Sequence, residues 1–91
     1  MKQQLVSTKH PQGKNNKPVA KGDYETFKAA ILSALRRKEL THTELLNELT
    51  ATLKGKFTGN VGWHLMVVKL DLEARKLIER TSSSPQRYRL K

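Results

Sequence analysis

The sequence predicts a small α+β domain, mostly α, in which three helices are followed by a C-terminal β-hairpin. Three observations predict it. The stretch Asn60–Arg80 carries apolar residues at helical spacing and then changes to a strand-like pattern. Two earlier runs, from Asp23 and from Thr41, carry leucine and aromatic residues at the same spacing. Arg87–Lys91 alternates charged and apolar residues, the period of a half-buried strand. A chain of 91 residues, 36% hydrophobic and 29% charged, suits one such domain with a modest core.

Residues 1–22 read as a basic, mostly disordered arm. They hold Lys2, Lys9, Lys14, Lys17 and Lys21 and no acid, with His10-Pro11, Lys17-Pro18, two glycines and no helical or strand period. Leu5-Val6 and Val19 are its only anchors, able to dock as short extended pieces. The domain proper is expected over residues 23–91.

Asp23 is placed to cap the first helix. Tyr24, Phe27, Ala30, Ile31, Ala34 and Leu35 form its buried stripe, and Arg36, Arg37 and Lys38 close it where the negative end of the dipole favours cations. Thr41 followed by Glu44 fits a capping box for a second helix reaching about Leu53, with Leu45, Leu46, Leu49 and Leu53 inward. Lys54–Gly59 makes a glycine-bearing turn, and Thr58 or Asn60 caps the third helix.

At 100° per residue the third helix shows two apolar rows. Val61, Leu65, Val68 and Leu72 form one; Trp63, Val67, Leu70 and Ala74 form the other. Gly62, Met66, Lys69, Glu73 and Lys76 lie along one edge between the rows, and His64, Asp71 and Arg75 along the opposite edge. One row enters the core. The other has three possible partners: the arm or first helix, a second copy across a dimer seam, or another protein in an open groove. After Arg75 the period changes. Leu77–Thr81 reads as a strand, Ser82–Gln86 as a loop, and Arg87–Lys91 as a returning strand with Tyr88 and Leu90 inward.

Helix, short helix, turn, long helix and hairpin is an order that resembles a winged helix-turn-helix domain, closest over Leu72–Arg80, LEARKLIER. Many such regulators place glycine at the end of the third helix; here Lys76 holds that place. The chain is also similar to a small bacterial family of uncharacterised proteins sharing a VGW…VKLDLEAR…SPQR pattern. The resemblance implies a third helix at the major groove and a hairpin reaching along the backbone. It would turn Thr58, Asn60, Gly62, Trp63, His64, Met66, Val67 and Leu70 towards DNA. Trp63, Val67 and Leu70 offer no group that matches a base edge.

The net charge of +10 divides evenly, with the five arm lysines and a surplus of five over residues 23–91. That balance favours polyanions, and duplex DNA first. Candidate DNA contacts are Lys54, Lys56, Thr58, Asn60, His64, Lys69, Arg80, Arg87, Arg89 and Lys91. Trp63, Val67 and Leu70 are candidates for a homodimer seam or a protein partner.

The chain has no cysteine, and its three histidines lie on different elements, so no metal site is expected. No nucleophile-base set, paired carboxylates or phosphate-cradling glycine loop is present, so no enzyme, cofactor or small-molecule substrate is expected. No apolar run approaches the roughly 20 residues of a membrane span. The expectation is a cytoplasmic, phosphate-directed DNA-binding protein, with a protein-interaction or dimerisation module as the alternative.

Overall fold

The computed structural model describes residues 4–10, 12–13, 15–57, 59–82 and 84–91. The order of elements is β1 (Leu5–Lys9), β2 (Asn15–Ala20), α1 (Lys21–Arg37), β3 (Leu40–Thr41), α2 (His42–Leu53), α3 (Val61–Ala74), β4 (Ile78–Arg80) and β5 (Arg87–Leu90). The result is a small α+β fold with three helices and two antiparallel sheets.

The N-terminal segment departs from expectation. Residues 5–9 and 15–20 are not a disordered arm but an antiparallel hairpin, with Val6 opposite Val19. The hairpin packs on α1 and α3. Val19 and Thr8 are buried, so no domain boundary falls at residue 22. The anchors Val6 and Val19 face inward, whereas Leu5 stands in solvent. Pairing comes from tertiary contact that a short polar segment does not advertise. The Thr8 hydroxyl donates to the Lys17 carbonyl at 2.5 Å across the ladder.

The hairpin also resets the start of α1. The helix begins at Lys21, two residues before the expected Asp23, and has no side-chain cap. Instead, the Lys21 N–H donates to the Gln4 carbonyl at 2.8 Å, so the hairpin backbone satisfies an amide that a cap would otherwise serve. Asp23 remains in the first turn, where the helix dipole favours an acid.

The two later helix starts follow local rules. Thr41 Oγ1 accepts from the Glu44 N–H at 3.1 Å, while the Glu44 carboxylate accepts from the Thr41 N–H at 2.9 Å. That amide holds the Glu44 carboxyl below its usual range. Asn60 caps α3 by accepting from the Trp63 N–H at 2.9 Å; Thr58 lies outside the described residues.

The core is built where α1, α2 and α3 meet. Phe27, Ile31, Leu45, Leu49, Leu65 and Leu72 are fully buried there. Phe27 stacks on His64 with ring centroids 5.3 Å apart, and Phe57 meets both rings edge-on. A Cβ at Gly59 would stand 2.8 Å from the Phe57 ring, so glycine there admits that close approach.

The C-terminal strands form the expected hairpin, with Ile78 opposite Leu90 and Arg80 opposite Tyr88. A third strand joins it. Leu40 and Thr41, between α1 and α2, pair with Tyr88 and Arg87, giving the order β3-β5-β4. Tyr88 and Ile78 close the core from this sheet.

α3 ends with Lys76 in the left-handed region, at φ 64°. The Leu77 N–H reaches the Leu72 carbonyl at 3.0 Å and the Lys76 N–H reaches Glu73 at 3.0 Å, the paired bonds of a Schellman motif. Lysine thus performs the turn that glycine makes without strain. No helix among the described residues is long and apolar enough to cross a membrane.

Candidate functional site

α3 is enclosed over more than half its circumference. Leu65, Val68 and Leu72 face the core, and Val67 and Asp71 are completely buried. Val67 therefore does not belong to a partner-facing row. It lies one turn from Asp71, whose carboxylate accepts from the Lys9 N–H of the N-terminal hairpin at 2.8 Å. Burial of the second apolar row is shared: the hairpin side is covered, and the outward side is bare.

The bare side carries Trp63, 36% exposed, Met66, 45% exposed, and Leu70, half-buried. Their spacing of three and four residues aligns them on one strip of the helix. Gly62 and Ala74 lie beside it, both half-buried. A Cβ at Gly62 would come within 4.0 Å of Leu46 on α2, so the strip adjoins that helix. Met66, assigned by the two-row reading to the edge between rows, is its most exposed member. The signal for it was the Trp63-Met66-Leu70 spacing itself, hidden because Val67 fits an apolar row equally well.

His64 is half-buried among Phe27, Phe57 and Trp63. Its Nδ1 lies 2.8 Å from the Asn60 carbonyl and its Nε2 3.8 Å from Asp23. It packs the N-terminal end of α3 rather than projecting from it. Asn60 is exposed, but its side-chain oxygen is engaged as the cap.

Lys69 also departs from its expected role. It is 5% exposed, so it does not reach a surface where a phosphate would lie. Its Nζ sits 2.8 Å from His42 Nδ1 and 4.0 Å from the centre of the Tyr88 ring, tying α3 to α2 and β5. Burial pushes the Lys69 ammonium down to about 8, partly resisted by the Glu73 carboxylate one turn on. The His42 imidazole is lowered by burial and by the Lys69 charge.

The hairpin cations are unequal. Arg80 donates to Glu73 at 2.6 Å. Arg89 bridges Glu79 at 2.7 Å and Glu39 at 3.4 Å. These partners hold both guanidinium groups further into their charged form. Arg87 and Lys91 are exposed at the same sheet, and Lys54 and Lys56 are exposed after α2. Lys54, Lys56 and Lys91 form no ion pair with a carboxylate among the described residues, while the Arg87 charge helps hold the Glu44 carboxyl low. The strands and loops thus leave some expected phosphate donors available and commit others.

The acids show the complementary pattern. Glu48 pairs with Arg37, and Asp71 takes Arg75 at 2.9 Å together with the hydroxyl of Tyr24. Burial, reinforced by Asp71, pushes the Tyr24 phenol up to about 12. With Glu39, Glu73 and Glu79 on arginines, Glu44 in its capping box and Asp23 near His64, Glu25 alone lacks a partner among the described residues. Several of these paired acids, Glu39 and Glu48 among them, keep exposed side chains, whereas Trp63, Met66 and Leu70 carry no charge.

A family model described as a family of unknown function (DUF6958) matches residues 5–88, which includes the N-terminal hairpin. No curated protein and no solved structure matches the chain.

Proposed function

The chain belongs to the DUF6958 family, and we propose that it is a cytoplasmic winged helix-turn-helix interaction module whose α3 seats a protein partner. The observation that carries this reading is the apolar outward strip of α3, with Trp63 and Met66 substantially exposed. Exposed aromatic and methionine side chains are enriched where proteins bind one another, and helix-spaced anchors suit a partner helix. The winged-helix assignment is supported by the order of elements and by the short strand β3 joining the C-terminal hairpin. The module acts by binding, without catalysis.

The test is selection of ligands from a displayed random-peptide library against the full chain. Selected ligands are expected to lose binding to the Met66→Glu variant, which keeps its helical circular dichroism. Ligands that bind the variant as tightly would overturn the reading.

A second reading, phosphate-directed binding of duplex DNA, is favoured by the net charge of +10 and by the exposed Arg87, Lys54 and Lys56. It requires affinity that falls steeply with salt. Absence of binding to a duplex at low salt would remove it.

A further inference from the structure

We infer that His42 and Lys69 form a one-proton latch that pins the start of α2 against α3 and β5, and that mild acid releases it. The latch is independent of what α3 seats.

His42 is the first residue of α2, directly after the two-residue strand β3. Its Nδ1 lies 2.8 Å from the Lys69 Nζ, and that Nζ stands 4.0 Å from the centre of the Tyr88 ring on β5. An ammonium has only protons to give, so Lys69 is the donor and His42 Nδ1 the acceptor. The imidazole is therefore the neutral tautomer, with its proton on Nε2. A further proton would have to enter at Nδ1, the atom that already accepts. Two N–H donors cannot share this contact, so it survives one charge on the pair but not two. Lys69 cannot simply withdraw, because the Tyr88 face attracts the ammonium where it stands.

The surroundings give a second charge no ready counter-ion. From α3, Glu73 has one carboxylate oxygen on Arg80 of β4, and its other oxygen makes no hydrogen bond to either member of the pair. On α2 itself, Glu44 is engaged in its capping box. Arg87 of β5 and Lys38 ahead of β3 are both close enough to act on Glu44, and both are cations. From α1, Arg37 meets α2 further along, at Glu48. The start of a helix is also the positive end of its dipole, which disfavours a cation there.

Burial, then the Lys69 charge, hold the His42 imidazole below its ordinary 6.5. Opening the corner hydrates the ring and restores the ordinary value. The latch is thus at full strength above pH 6.5 and is lost as the pH falls through the lower value of the closed form. Each pH unit below 6.5 favours the open form by at most about tenfold. The segment released is short: Leu40 and Thr41 pair with Tyr88 and Arg87. Local opening of this kind leaves the rest of the core in place.

The test uses the full chain. Nitrogen-15 NMR of His42 at pH 7.5 is expected to show the proton on Nε2. Hydrogen exchange, referred at each pH to the rates of unstructured peptides, reports opening at Leu40 and Tyr88, which face each other across β3 and β5. Between pH 7 and pH 5 the referred rates should rise by about tenfold or more. His42→Asn keeps an acceptor near the place of Nδ1 and cannot take up the proton, so its rates should stay flat. Lys69→Met removes the neighbouring charge, so His42 should titrate at higher pH in that variant.

Referred rates that do not change between pH 7 and pH 5 would overturn the inference. So would rates that rise as steeply in His42→Asn, a proton found on Nδ1 at pH 7.5, or a His42 titration unmoved by Lys69→Met. The tautomer and the wild-type exchange need no variant, so they decide the matter even where a substitution prevents folding.

Discussion

Asp71, completely buried on α3, accepts a hydrogen bond at 2.8 Å from the backbone N–H of Lys9, 62 residues earlier in the chain. The same carboxylate takes the Tyr24 hydroxyl and the Arg75 guanidinium. One side chain therefore joins β1, α1 and α3. Asp71→Ala would remove the acceptor that the Lys9 N–H and the Tyr24 hydroxyl share, each lost bond costing about 1–3 kcal/mol. A loss of about 3 kcal/mol in urea unfolding is expected, with faster hydrogen exchange at the Lys9 amide. Asp71→Asn should retain part of both.

Val67 and Met66 are adjacent in sequence and opposite in consequence. Val67 is 0% exposed and Met66 45%. Val67→Asp buries an unpaired charge and is expected to cost about 3 kcal/mol or more, unfolding a domain of this size. Met66→Asp should change stability by no more than about 0.5 kcal/mol. Paired thermal melts check the difference; comparable losses would mean that the strip is core.

Lys69 gives stability a dependence on alkaline pH. It ionises near 10.5 in the unfolded chain and at about 8 in the fold. Its favourable contribution is complete above pH 10.5 and is lost as the pH falls through 8. Wild type is therefore expected to gain stability relative to Lys69→Met as pH rises from 8 to 10.5. Urea titrations of both proteins across this range test the slope.

Lys76→Gly relieves the left-handed backbone at the end of α3. The gain expected is about 1 kcal/mol, the penalty a Cβ pays there less the extra freedom of glycine when unfolded. The urea midpoint should rise with no change in slope. An unchanged or lower midpoint would show that the lysine side chain contributes more in place than the strain removes.

The parts of the fold governed by neighbours in sequence were legible there. Thr41 and Glu44 announce their capping box within four residues, and the alternation at Arg87–Leu90 marks Tyr88 as inward. The parts governed by distant partners were not. The Leu5–Lys9 strand has no period of its own and is held by β2 and by Asp71. Leu40-Thr41 is too short to read as a strand without β5 beside it. For the candidate site, helical angles separated the core row but could not say which outward residues the hairpin would cover. Val67 and Trp63 therefore looked alike. Lys69 read as a surface cation because a charged residue seldom goes inside.

The 62-residue interval between Lys9 and Asp71 also sets an order of events at the ribosome. At about 5–20 residues per second, roughly 3–12 s separate translation of the first strand from that of the aspartate that holds it. Until then the N-terminal hairpin has α1 to pack on but lacks the carboxylate of α3 that accepts from its Lys9 N–H. Completion of this fold is therefore gated by α3, and a nascent chain stalled before it exposes the face of α1 that α3 would cover.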